Sequence, residues 1–130
     1  MSKQLEIDEI ISEAQQLLLE DSQSESEKIK DILLALSMNE IDFELIQNLC
    51  LKYIRSSNDL LRFIAIISVG HVVRVYHKQV CRSILNTLCK IYSDHSDPFW
   101  GAVDDVYDDM EVYLMIPKKE LMEWDQGGIA

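Results

Sequence analysis

The chain has 130 residues, 48% hydrophobic and 27% charged, a balance that supports one domain with a packed core and excludes a disordered polymer. Its 23 Asp and Glu against 12 Lys and Arg give a net charge of −11. That sign argues against a general binder of nucleic acid or of anionic membrane, since both need cationic patches, and suits a basic protein partner.

The N-terminal MSKQLEIDEIISEAQ has no apolar run of signal-peptide type. Residues 5–20 carry Ile7, Ile10, Ile11, Ala14, Leu17 and Leu18 at the i, i+3, i+4 spacing of one helical face. The polar stretch DSQSESEK breaks that pattern. Ser24 or Ser26 is placed to cap a second helix bearing Ile29, Ile32, Leu33 and Leu36. Met38 to Glu40 reads as a turn. A third helix follows with Ile46, Leu49, Cys50, Tyr53 and Ile54, ending at Ser56-Ser57-Asn58.

Asn58 is an N-cap for DLLRFIAIISVGHVVRVY, which is apolar on nearly every side and therefore reads as a central helix with neighbours on both flanks. Its longest apolar stretch, Phe63 to Val73, is interrupted by Ser68, Gly70 and His71 and falls short of the ~20 residues that span a bilayer. A fifth helix holds Val80, Cys81, Ile84, Leu85, Leu88 and Cys89 and stops near Ser93. Asp97-Pro98 reads as an N-cap followed by proline at the first helical position. The sixth helix runs to about Met115 and ends before Pro117, whose ring cannot continue it. A short helix over Lys118 to Trp124 completes a domain of residues 1–124, with 125–130 as a flexible tail. Cys50, Cys81 and Cys89 form no CxxC and sit in apolar patterns, as buried small hydrophobes do in a reducing compartment, so a cytoplasmic location is expected.

Two helix pairs share a pattern. Leu49-Cys50 recurs as Leu88-Cys89, while Ala65 and Val69 recur as Ala102 and Val106, so the turn between the paired helices should be about two residues shorter in the second copy. The expectation is an all-α fold, a short HEAT-like α-solenoid of about three antiparallel helix pairs. A non-repetitive orthogonal bundle is the alternative.

The densest polar cluster is Asp104, Asp105, Asp108, Asp109 and Glu111 on the sixth helix. Phe99, Val103, Val106, Tyr107, Met110, Tyr113 and Leu114 form an apolar stripe of about 120°, and the acids lie opposite it. Like-charge i,i+4 pairs cost a helix roughly 0.2–0.5 kcal/mol each, so such a face is either simply solvated or receives a cationic surface. Trp100 stands at the border of stripe and acids, where an interface anchor or terminal packing would place it. DDxxD occurs in the same letters, but a diphosphate-binding enzyme needs a second acidic motif across a large cavity, and 130 residues cannot supply both. His71 and Arg74, one turn apart on the fourth helix, are expected to be structural, reaching Asp104, Asp105 or Asp108 on the neighbouring pair. No zinc spacing, nucleophile elbow or glycine-rich phosphate loop is present, so no catalytic residue, metal or cofactor is expected.

Asp59, Arg62, Ala65, Gly70, His71 and Arg74, followed by Asp108, Asp109 and Met110, match a D-x-x-R-x-x-A-x-x-x-x-G-H-x-x-R helix and a later helix ending in D-D-[IM]. In these residues, over roughly 58–114, the chain resembles the small HEAT-like immunity proteins of bacterial contact-dependent growth inhibition and polymorphic toxin systems. The resemblance implies a cytosolic monomer that forms a heterodimer with a cognate toxin domain and blocks its active site. Acidic charge favours a nuclease target, with a ribonuclease preferred, whose basic groove would receive the acids of the sixth helix. A HEAT-like adaptor without inhibitory role is the second reading, and a metal-dependent enzyme the third.

The net charge has a layout. Residues 1–50 hold 12 acids and 3 bases, 51–90 hold 1 acid and 7 bases, and 91–130 hold 10 acids and 2 bases. Two acidic ends flank a basic middle, which allows pairing between adjacent helices.

Overall fold

A computed structural model describes residues 2–19 and 26–123. Its seven helices are α1 (Ser2–Leu19), α2 (Ser26–Met38), α3 (Phe43–Ile54), α4 (Asp59–Tyr76), α5 (Arg82–Tyr92), α6 (Trp100–Leu114) and α7 (Lys118–Met122), with no strand among the described residues. The fold is all-α. No helix is long and apolar enough to cross a membrane among the described residues. Ser24, Trp124 and the tail 125–130 lie outside them.

Local chemistry sets the helix ends. The Asp42 carboxylate accepts from the Leu45 N–H and starts α3, while Asn58 Oδ1 accepts from Leu60 and Leu61 and starts α4. Ser26, expected as a cap, is instead the first residue of α2, and its hydroxyl accepts from the Asn58 side chain at 3.4 Å. α4 ends on His77 and α6 on Met115, both in the left-handed region with φ near 54° and 58°. The turn at Met115 comes two residues before Pro117, as the proline requires.

Two expected starts move. Val80 and Cys81 are not helical: Cys81 is extended and its N–H donates to Gln47 Oε1 on α3 at 2.6 Å, so α5 begins at Arg82. Asp97-Pro98 does not begin α6. Asp97 closes a turn, accepting from the Phe99 N–H at 2.8 Å through its side chain and from the Trp100 N–H through its carbonyl, and the helix starts at Trp100. The connection within the second pair, residues 93–99, is therefore longer than the 55–58 connection of the first, the reverse of the expectation. The matching residues kept their spacing because Ala65 lies deep in α4 whereas Ala102 lies near the start of α6.

The helices form two layers. α1, α3 and α5 make one, α2, α4 and α6 the other, and each helix touches its layer neighbours and its partner in the pair. Among the described residues α1 touches only α2 and α3, and α7 closes the far end against α5 and α6. Such neighbour-only contact is how stacked helix pairs pack. α4 sits between α2, α3 and α6, which explains its missing polar face. Leu61, Ala65, Ile66, Val69, Val72 and Val73 are all fully buried there. Cys50 and Cys89 are buried and Cys81 is half-buried, all three as free thiols; burial pushes the Cys50 thiol up to about 12.

Polar bridges join successive pairs. Tyr76 on α4 donates its hydroxyl hydrogen to the Leu36 carbonyl at 2.7 Å and accepts from the Ile41 N–H at 2.9 Å, locking the turn that links α2 to α3. The Lys52 ammonium reaches the Leu17 carbonyl at the end of α1. Tyr76→Phe leaves both turn groups without their partner and is expected to lower unfolding stability by about 1 kcal/mol in urea titration. A change under ~0.3 kcal/mol would show the bridge to be replaced by water.

Candidate functional site

The α6 acids divide by the way the helix is rotated in its groove. Asp104 is half-buried and accepts from the Tyr92 hydroxyl at 2.8 Å and from Lys118 Nζ at 3.0 Å. Hydrogen bonds from Lys118 first, then Tyr92, hold its carboxyl below the usual carboxylate range. Asp108 joins the same ammonium at 2.5 Å. Two acids thus share one cation, whose pKa is raised by their hydrogen bonds, and together they fasten α7 to α6.

Asp109 points toward α4. Its Oδ2 takes a hydrogen bond from the Arg74 guanidinium, which also donates to His71 Nδ1. Arg74 thus reaches an acid on α6, but that acid is Asp109 and not Asp104, Asp105 or Asp108, and His71 contacts the guanidinium rather than an acid. Helix geometry supplies the reason. At 100° per residue, Asp109 lies only about 40° from the edge of the apolar stripe, while Asp105 and Asp108 lie further round the exposed side. Gly70 completes the fit. A Cβ there would stand 3.0 Å from Asp109 Oδ2, a tight contact that would make the carboxylate give by a few tenths of an ångström.

Burial raises the Asp109 pKa, and the opposing pull of Arg74 only partly offsets it, with Asp105 and Asp108 adding to the rise. His71 is lowered, by burial first and by the Arg74 charge second. With Nδ1 accepting, the neutral ring carries its hydrogen on Nε2.

Asp105 and Glu111 remain. Both are exposed, and neither has an ion-pair partner among the described residues. They are the part of the acidic face still open to a cationic surface. Trp100 is half-buried rather than projecting freely. Its indole N–H donates to the Tyr92 carbonyl at 2.9 Å, and its ring stacks on Tyr92 at 4.8 Å and on exposed His95 at 4.6 Å. The group holds the 93–99 turn together.

The sequence did not single out the cleft that α4 and α6 leave between them. Phe63 and Ile67 on α4 and Ala102 and Val106 on α6 give it an apolar lining, and Asp105, Asp109 and Arg74 give it charge. Leu60 and Phe63 beside it are 45% and 41% exposed, unusual for large apolar residues on the central helix. Their position on the outer side of α4 was the available signal, hidden because that helix is apolar all round. Among the described residues no group of three or more His, Cys, Asp or Glu is arranged to hold a metal ion.

Comparison with family models, with curated proteins and with solved structures finds no match to this chain.

Because the folded state disfavours protonated His71, stability present above pH ~6.5 is lost as pH falls, when the unfolded chain takes up a proton that the native one resists. The melting temperature should fall between pH 7.5 and 5.5, a window chosen above ordinary carboxylate titration, and fall less in His71→Gln. Identical pH slopes in the two proteins would contradict a neutral His71.

Proposed function

We propose that this chain is an immunity protein that binds a cognate antibacterial toxin domain, a nuclease in the favoured case, and neutralises it by covering its basic active-site groove. The observation that carries the reading is the pairing of open negative charge with exposed apolar surface on one face. Asp105 lines the same cleft as Phe63, while Glu111, also exposed, lies about 120° round α6 on the side of Asp104 and extends the open negative charge beyond the cleft. A charged rim around apolar anchors suits a protein partner, the charge guiding encounter and the buried contacts giving affinity. The match of Asp59, Arg62, Ala65, Gly70, His71, Arg74, Asp108, Asp109 and Met110 to the HEAT-like immunity pattern supports the toxin domain as that partner and the cytosol as the place of action.

The internal pairing changes which residues test the idea. Charge reversal at Asp104 or Asp108 would also release Lys118 and α7, so loss of binding there would not distinguish contact from folding. Asp105→Lys with Glu111→Lys avoids this. Co-expressed with the product of the adjacent gene, the native chain should protect cells and co-purify as a one-to-one complex. The double variant should keep its melting temperature and associate about tenfold more slowly at low salt. Unchanged association would remove this face from the interface. An adjacent product that is harmless, or that forms no complex, would overturn the immunity reading in favour of an adaptor.

A further inference from the structure

The cleft between α4 and α6 is open and measures about 350 Å³. That is the low end of the ~300–1,000 Å³ typical of small-ligand pockets, room for one long side chain and too little for a helix. It exists because two of its residues are small. Gly70 and Ala102 leave unfilled the space that larger side chains would occupy, and a Cβ on Gly70 would come within 3.6 Å of Val106 as well as crowding Asp109. Phe63 and Ile67 supply the apolar wall.

The charge in the cleft is unbalanced. Asp105 and Asp109 face a single cation, Arg74, and His71 is neutral through its hydrogen bond from that guanidinium. Only Oδ2 of Asp109 is engaged, and Asp105 has no ion-pair partner among the described residues. One further cation would complete the set. A guanidinium fits better than an ammonium: it is planar, stacks on an aromatic face, sheds water more readily and can bridge two carboxylates.

We propose that the α4/α6 cleft receives one arginine side chain from a basic protein partner, its methylene stem packed on Phe63 and Ile67 and its guanidinium held by Asp105 and the open oxygen of Asp109. The proposal rests on the reading of the chain as a binder of a basic protein and names the residue type that anchors it. Gly70 and Ala102 are then what keeps the pocket open, and Arg74 sets its inner end by holding Asp109 in place.

The test is a titration of the full, isotope-labelled chain, followed by amide NMR, with the peptide acetyl-Gly-Arg-Gly-amide. The same peptide carrying citrulline, which has the shape without the charge, and one carrying lysine serve as comparisons. The arginine peptide should shift the Gly70, Ala102 and Asp105 amides saturably, with a dissociation constant on the order of millimolar. Binding should weaken about fivefold or more with citrulline, with lysine and in Asp105→Asn. Equal saturation by citrulline, equal binding by lysine, or shifts spread without saturation over the other acids would each overturn the proposal. Phe63→Ala separates it from the reading beneath it. A chain that protects cells from the adjacent gene's product equally well with and without Phe63 keeps the immunity function and loses the arginine pocket. Saturable arginine binding by a chain that gives no protection does the reverse.

Discussion

α4 is surrounded. α2 and α6 flank it within its own layer and α3 backs it from the other, so Leu61, Ala65, Ile66, Val69, Val72 and Val73 all lose their solvent. Each large apolar side chain buried this way contributes roughly 1.5–3 kcal/mol, and no other helix gathers as many in one run. The outer elements depend on that central packing. α2 and α6 find their places by docking on α4, and α1 and α7 in turn close the ends against the pairs next to them.

The same packing generates the polar chemistry. Small residues where α4 meets α6 bring the backbones close enough for a side chain of one helix to reach the other, and Gly70 admits the Asp109 carboxylate beside Arg74. Further along, the carboxylates of Asp104 and Asp108 converge on Lys118 because the turn at Met115 folds α7 back under α6. Three of the five α6 acids are therefore part of the joints between elements. Asp105, at the α4/α6 cleft, and Glu111 are exposed and take no part in those joints, which leaves them for a partner. The −11 net charge overstates the open negative surface of this face, since the basic middle of the chain neutralises part of it from within.

The relation between the proposed partner site and the fold is economical in a physical sense. A cleft lined by Phe63, Ile67 and Ala102 is a defect in otherwise complementary helix packing, and such defects are normally filled. This one opens at the surface beside a free carboxylate, which makes it a receptor for a side chain with an apolar stem and a cationic tip.

Helix number, most helix boundaries and the all-α class were legible in the sequence, because hydrophobic spacing and a cap such as Asn58 act within a few residues of themselves. The central role of α4 was legible too, since a helix without a polar face has to be covered on several sides. What the sequence could not determine was the rotation of α6 against α4, and with it which acid meets Arg74. A turn of a few tens of degrees separates Asp109 from its neighbours on the wheel, and that rotation is set by how α6, through its buried Val103, Val106 and Met110, packs in a core shared with α4. The start of α5 moved for a tertiary reason as well, since Gln47 on α3 holds the Cys81 N–H. The start of α6 moved through local contacts, the hydrogen bonds of the Asp97 turn and the stacking of Tyr92, Trp100 and His95. Composition established an acidic helical protein; tertiary packing decided which of its acids face outward.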